Sequence, residues 1–172
     1  DSLARNRYDE TWHRLREWTK GQPVSERLAA QILIHEGFAD VDPSHPLGGR
    51  DGGKDAIANR AGTRFVMAAY FPRGQQTFSA IQAKFESDLQ GLPKNSARGI
   101  AFVTNQELLL SDREVLCSLA EPSIAEIYHL ERITAVLDAP DMAMVREQFL
   151  EIAAADSPTI KLGGTGGSAP GA

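Results

Sequence analysis

Three observations predict an α/β fold in which a mixed sheet is enclosed between helices. Two short apolar strands are joined by a tight Gly-containing turn, Asp55 to Arg60 and Arg64 to Phe71 across Ala61-Gly62-Thr63. An uninterrupted apolar run, Gly99-Ile100-Ala101-Phe102-Val103-Thr104, fits a strand buried on both faces. From Phe78 onward, helical and extended patterns alternate in the manner of parallel α/β units.

The remaining elements follow in order. Tyr8, Trp12, Leu15 and Trp18 make an apolar stripe on a first helix from about Asn6 to Lys20, which we expect to pack on the domain. Gly21-Gln22-Pro23 breaks that helix, and Ser25 is placed to cap a second one, which runs through Leu28, Ile32 and Leu33 to Glu36 and stops at Gly37. Phe38 to Asp42 reads as a short strand. After the hairpin, Phe78, Ile81, Phe85 and Leu89 recur at helical spacing, and Gly91-Leu92-Pro93 ends that helix. A helix from Ser111 to Ala120, a strand from Ser123 to Tyr128 and a helix from Leu130 to Leu137 come next. Pro140 then opens a last helix carrying Val145, Phe149 and Ile152.

Length and composition give one core. The 172 residues, 42% hydrophobic and 24% charged, suffice for one well-buried domain with short appendages. We assign 1–22 to an N-terminal helix, 23–155 to the domain and 156–172 to a flexible Gly-rich tail, which cannot bury surface and is expected to lead to a further domain. A first residue of Asp rather than Met suggests an excised or processed fragment. The single cysteine, Cys117, excludes an internal disulfide and a cysteine-cluster zinc site and fits the cytoplasm; its apolar neighbours suggest a buried thiol. His13, His35, His45 and His129 show no zinc-binding spacing. No apolar run approaches the length of a membrane span, so no membrane partner is expected.

A net charge of −5 argues against nucleic-acid binding by the whole surface. The charge is uneven, however. Between His45 and Gln76 the cations Arg50, Lys54, Arg60, Arg64 and Arg73 meet only Asp51 and Asp55, leaving +3 there and −8 elsewhere. Arg60 and Arg64 can equally flank a solvated hairpin turn.

The stretch Gly48-Gly49-Arg50-Asp51-Gly52-Gly53-Lys54-Asp55 delivers an acid from a glycine-rich turn onto a strand, after a helix containing Glu26. From Ser25 to Tyr128 the pattern resembles the Mrr-like branch of the PD-(D/E)xK, restriction endonuclease-like superfamily. The resemblance implies a three-layer α/β/α sandwich with a mixed central sheet, plus N- and C-terminal helices. It also implies Glu26 as the helical acid, Asp51 as the turn acid and Asp55 as the strand acid that holds a divalent metal. Phosphodiester hydrolysis needs a cation to polarise the phosphoryl group and lower the pKa of a bound water, and hard Mg²⁺ takes oxygen ligands. The next strand in the family supplies Glu or Gln and, two residues on, Lys. Here those positions are Ala68 and Tyr70, or Met67 and Ala69 one register away, and neither pair can do that work.

A Gln-x-Lys match does occur at Gln82-Ala83-Lys84; as a strand it would place both residues on one face, although Phe78-Ile81-Phe85 fits a helix better. Glu26, near a helix start, is also where a carboxylate meets the macrodipole, and Asp51 can accept backbone hydrogens in its turn. The expectation is therefore a catalytically degenerate nuclease-fold module without a cofactor. It would recognise DNA or another nucleic acid through Arg50, Lys54, Tyr70 and Arg73, within a larger bacterial, defence-related protein. The alternatives are a Mg²⁺-dependent endonuclease using Glu26, Asp55, Gln82 and Lys84, and a domain that binds a partner protein or a second copy.

Overall fold

Asn105, which follows the fully buried fourth strand, ties three separate segments together and fixes how the helices sit on the sheet. The computed structural model describes residues 2–42 and 56–153, with the side chains of the first helix described from residue 9. Arg50, Asp51, Lys54, Asp55 and the Gly-rich tail lie outside the described residues. Helices α1 (Ser2–Arg16) and α2 (Gln22–His35) precede strand β1 (Ala39–Asp42) and the hairpin β2 (Ile57–Arg60) and β3 (Thr63–Tyr70). Then come α3 (Phe78–Leu89), the single turn α4 (Gly91–Lys94), β4 (Gly99–Thr104), α5 (Leu110–Ala120) and β5 (Ile124–Tyr128). Helix α6 (Leu130–Leu137), a 3₁₀ turn (Pro140–Met142) and α7 (Ala143–Leu150) follow.

The five strands lie in the order β1-β2-β3-β4-β5. Strands β1, β2 and β3 pair antiparallel, and β3, β4 and β5 pair parallel. The hairpin closes on Arg60 opposite Thr63, with Ala61 at φ 51° and Gly62 at φ 80°. Two positive φ values in a two-residue loop match the right-handed twist of the strands, which is why a glycine serves there. All six residues of β4 are buried, as its apolar run predicts.

Strand residues alternate between two apolar clusters on opposite sides of the sheet. Phe65, Met67, Ala69, Ala101, Val103 and Tyr128 join Leu28, Ile32 and Leu33 of α2, Leu130 and Ile133 of α6 and Phe149 of α7. Leu15 and Trp18 belong to the same cluster, so the first helix packs on the domain. Val66, Ala68, Ile100, Phe102 and Ile127 face Ile81 and Phe85 of α3 and Leu116 of α5. Each Val, Leu, Ile, Phe or Met among them contributes about 1.5–3 kcal/mol by leaving water.

Three local expectations are corrected. Ser25 does not cap α2, because the helix already starts at Gln22: Pro23 needs no hydrogen-bonded N–H in the first turn, and buried Ser25 donates its hydroxyl to Gln22 O at 2.8 Å. The first helix ends at Arg16 rather than Lys20. Gly91-Leu92-Pro93 forms a helical turn of its own, since Pro93 again falls where its missing N–H costs nothing. Cys117 is half-buried and its Sγ reaches Ala125 O at 3.8 Å. Burial pushes its pKa up, which makes it a poor nucleophile. Among the described residues, no helix is long and apolar enough to cross a membrane.

Two residues carry unusual structural weight. A Cβ on Gly99 would lie 2.6 Å from the Phe65 ring and 3.1 Å from Ile124 O, so β4 can pass between its neighbours only as glycine. Asn105 Nδ2 donates to Leu15 O and to Pro72 O, both at 2.8 Å, and Asn105 is fully buried. Gly99→Ala is expected to lower stability by about 1–3 kcal/mol through overpacking. Asn105→Ala is expected to cost about 2 kcal/mol or more, by leaving buried carbonyls without a donor. Urea unfolding of each variant against the native chain checks both.

Candidate functional site

Helix α2 carries Glu26 to the second half of β3. Gln22 and Glu26 are one helical turn apart, and Gln22 Nε2 donates to Glu26 Oε2 at 3.1 Å and to Ala69 O at 3.1 Å. The helical acid is thus bridged by an amide to the strand on which the family pattern places its catalytic pair. Met67 and Ala69 belong to the α2 side of the sheet and are buried, whereas Ala68 and Tyr70 belong to the α3 and α5 side. The register that shares a side with Glu26 is therefore Met67 and Ala69, which offer no oxygen or nitrogen to a cation. Tyr70 stacks on Phe102 with ring centroids 6.4 Å apart, so the sheet separates it from Glu26.

Gln82 and Lys84 are helical. Thr77 caps α3 by accepting from Ala80 N at 3.1 Å, and Ile81 and Phe85 bury one face, so the helical period overrides the strand alternative. Two positions apart on a helix, Gln82 and Lys84 point in different directions. Each is engaged one turn on, Gln82 Nε2 with Glu86 Oε2 at 3.4 Å and Lys84 Nζ with Asp88 Oδ1 at 2.9 Å. Arg73 lies in the exposed loop after β3, its Nε 3.4 Å from Glu17 Oε1. Of the sequence-predicted residues, then, Glu26 approaches β3, Tyr70, Gln82 and Lys84 lie on the other side of the sheet, and Arg50, Asp51, Lys54 and Asp55 lie outside the described residues. Among the described residues, no group of three or more His, Cys, Asp or Glu side chains could hold a metal ion.

A second location was not singled out in the sequence. Where the parallel strands β4 and β5 end, Gln75, Glu107, Leu108, Leu109, His129 and Glu131 line a cleft of about 330 Å³. His129 occupies the N-cap position of α6, is 7% exposed, and has a buried Nδ1 with no hydrogen-bond partner among the described residues. Burial pushes its pKa down, and the nearby Arg113 charge adds to the effect. In sequence His129 is one of four scattered histidines. The signal that marks it is its place between a parallel strand and the following helix, where clefts form in α/β sheets.

The opposite case is His35, at the end of α2. Its Nδ1 lies 3.0 Å from Glu36 Oε2 and its Nε2 3.2 Å from Asp141 Oδ1. The Glu36 hydrogen bond, with Asp141 behind it, raises its pKa above the ordinary 6.5. The two histidines oppose each other in pH. His35 stabilises the fold below about pH 6.5 and loses that contribution as pH rises through its raised value, whereas His129 stabilises it above about 6.5 and loses that as pH falls through its lowered value. Unfolding free energies measured across this range should therefore lose their alkaline decline in His35→Gln and their acid decline in His129→Gln. Comparison with protein-family models, with curated proteins and with solved structures finds no match for this chain.

Proposed function

We propose that this chain is a catalytically degenerate nuclease-fold module that recognises nucleic acid, built on the restriction endonuclease-like three-layer arrangement that its Ser25 to Tyr128 pattern resembles. The observation that carries the reading is the content of β3 beside Glu26. Met67 and Ala69 occupy the two positions in phase with that acid, and both are buried in the apolar cluster beneath α2. A metal-binding carboxylate and a lysine would stand there in an active centre. Instead the space is filled by core, and a charge placed in it would be desolvated.

Further support comes from the order of elements. A helix with an acid, an antiparallel hairpin, a helical crossover to a parallel strand and a repeat of that crossover follow the family's sequence of parts. The side chains that β3 presents do not fit Mg²⁺, which takes oxygen ligands. Asp51 and Asp55 remain the acids that the resemblance assigns to a metal, as remnants, with Arg50, Lys54, Tyr70 and Arg73 as its nucleic-acid contacts. A place in a larger bacterial defence protein comes with the resemblance alone.

The endonuclease alternative needs Gln82 and Lys84 beside Glu26 and Asp55, and α3 lies across the sheet from Glu26. The test is incubation of supercoiled plasmid with the chain and with Asp55→Ala, in Mg²⁺ and then in Mn²⁺, alongside binding of a DNA duplex at rising salt. We expect no metal-dependent nicking by either protein, and duplex binding that falls by an order of magnitude or more between about 50 and 200 mM salt. Nicking by the native chain that Asp55→Ala abolishes would overturn the degenerate reading, and salt-insensitive behaviour would point to an apolar protein interface instead.

A further inference from the structure

The end of the sheet where β3 and β4 begin holds two neighbouring arginines that have no carboxylate partner among the described residues. Arg98 N donates to Arg64 O at 2.9 Å, and the next residues, Phe65 and Gly99, are paired across the parallel ladder. The two arginines are therefore neighbours across strands that lie about 4.8 Å apart. Both are exposed. Arg64 is in phase with Val66 and Ala68, and Arg98 with Ile100 and Phe102, so both belong to the side of the sheet that carries α3 and α5. Arg64 also donates to Asn95 O at 3.1 Å, next to Lys94. Among the described residues neither arginine forms an ion pair. Glu126, in register with Ala101 on the other side of the sheet, is held by Arg60 at 2.9 Å and reached by Arg132 at 4.0 Å.

Like charges held opposite each other on neighbouring strands destabilise a sheet. In a chain of net charge −5, carboxylates are available to relieve such a pair, yet none among the described residues does so. The other end of the strands is different. There Arg73 is paired with Glu17, and Glu107 and Glu131 line the cleft, so a polyanion would meet carboxylates.

We propose that Arg64 and Arg98 form a contact for the phosphodiester backbone of a nucleic acid, at the end of β3 opposite to Glu26 and Ala69. The placement rests on the nucleic-acid reading above and moves its phosphate contacts about 16 Å along β3, five residues at 3.3 Å each. Each guanidinium can donate two parallel hydrogen bonds to a phosphate, and a bound phosphate neutralises the repulsion between the pair. The paired strands, with Phe65 packed over Gly99 on the other face, hold the two groups in register before any ligand arrives.

The test measures anisotropy of a labelled DNA duplex, with single-stranded RNA as a second arm, against the native chain, Arg64→Gln/Arg98→Gln, Arg64→Lys/Arg98→Lys and Arg73→Gln, over a salt series. The slope of log K against log salt should become shallower by about two in the Gln double variant. The Lys double variant should keep it, and Arg73→Gln, which removes a single cation, should flatten it by no more than about one. The melting temperature of the Gln double variant should be equal to or above that of the native chain, because a repulsion has been removed. The arm with the tighter binding identifies which nucleic acid is read. Unchanged binding in the Gln double variant with loss in Arg73→Gln would overturn this contact and leave the nucleic-acid reading standing. Failure of the native chain to bind either probe at about 50 mM salt would overturn both.

Discussion

The structure depends on a buried polar knot at the end of β4. Thr104, Asn105 and Gln106 are fully buried, so every polar atom they carry needs a partner inside the protein. Thr104 Oγ1 donates to Tyr70 O at 2.7 Å, which locks the ends of β3 and β4 together. Asn105 holds the end of α1 and the loop after β3. Gln106 donates to Gly74 O at 3.0 Å and to Asn105 Oδ1 at 2.8 Å, and accepts from Gln76 N at 2.6 Å and, through its carbonyl, from Leu130 N at 3.0 Å. Three consecutive residues thus position α1, the loop from Pro72 to Gln76 and the start of α6, and with it His129 and the cleft.

The side of the sheet that carries α2 and α6 also sets charge against aromatic faces. Arg60 lies over Phe38 at 4.4 Å and Phe65 at 5.7 Å while pairing with Glu126, and Arg132 lies over Tyr128 at 3.9 Å. These groups are roughly a third exposed, so their Coulombic worth is modest; the flat contact of guanidinium on ring matters more for geometry. Arg60 and Arg132 thus each have both a carboxylate and a ring. Across the sheet Arg64 and Arg98 have neither among the described residues, which distinguishes them from these two structural arginines.

Much of the fold was legible because its elements announce themselves locally. The apolar run of β4, the Ala61-Gly62 turn and the Phe78-Ile81-Phe85 period each fix one backbone conformation with no help from distant residues. The start of α2 was misread because Pro23 serves as well inside a first turn as it does as a breaker. The knot was illegible for a different reason: Asn105 and Gln106 look like ordinary loop residues after a strand, and only the approach of Leu15 and Pro72 makes their burial necessary. The candidate site shows the same division. That β3 lacks catalytic side chains could be read directly, but which of its two faces meets Glu26 could not, since that depends on how α2 docks. The proximity of Arg64 and Arg98, thirty-four positions apart, depends wholly on parallel pairing.

On the nuclease-fold reading proposed above, that pairing also accounts for how such a sheet would change its use without changing its fold. A catalytic centre on β3 requires solvated, charged groups at positions that face α2, and these compete with the packing that holds α2 to the sheet. With Met67 and Ala69 in those positions, α2 closes over β3 and the face contributes apolar burial to stability. On β3 and β4, charge remains tolerable only where the strands meet water, at their ends. One of those ends is closed by the amide knot and an acid-lined cleft, which leaves the beginning of β3 and β4 as the place where the sheet can hold cations in fixed register toward a partner.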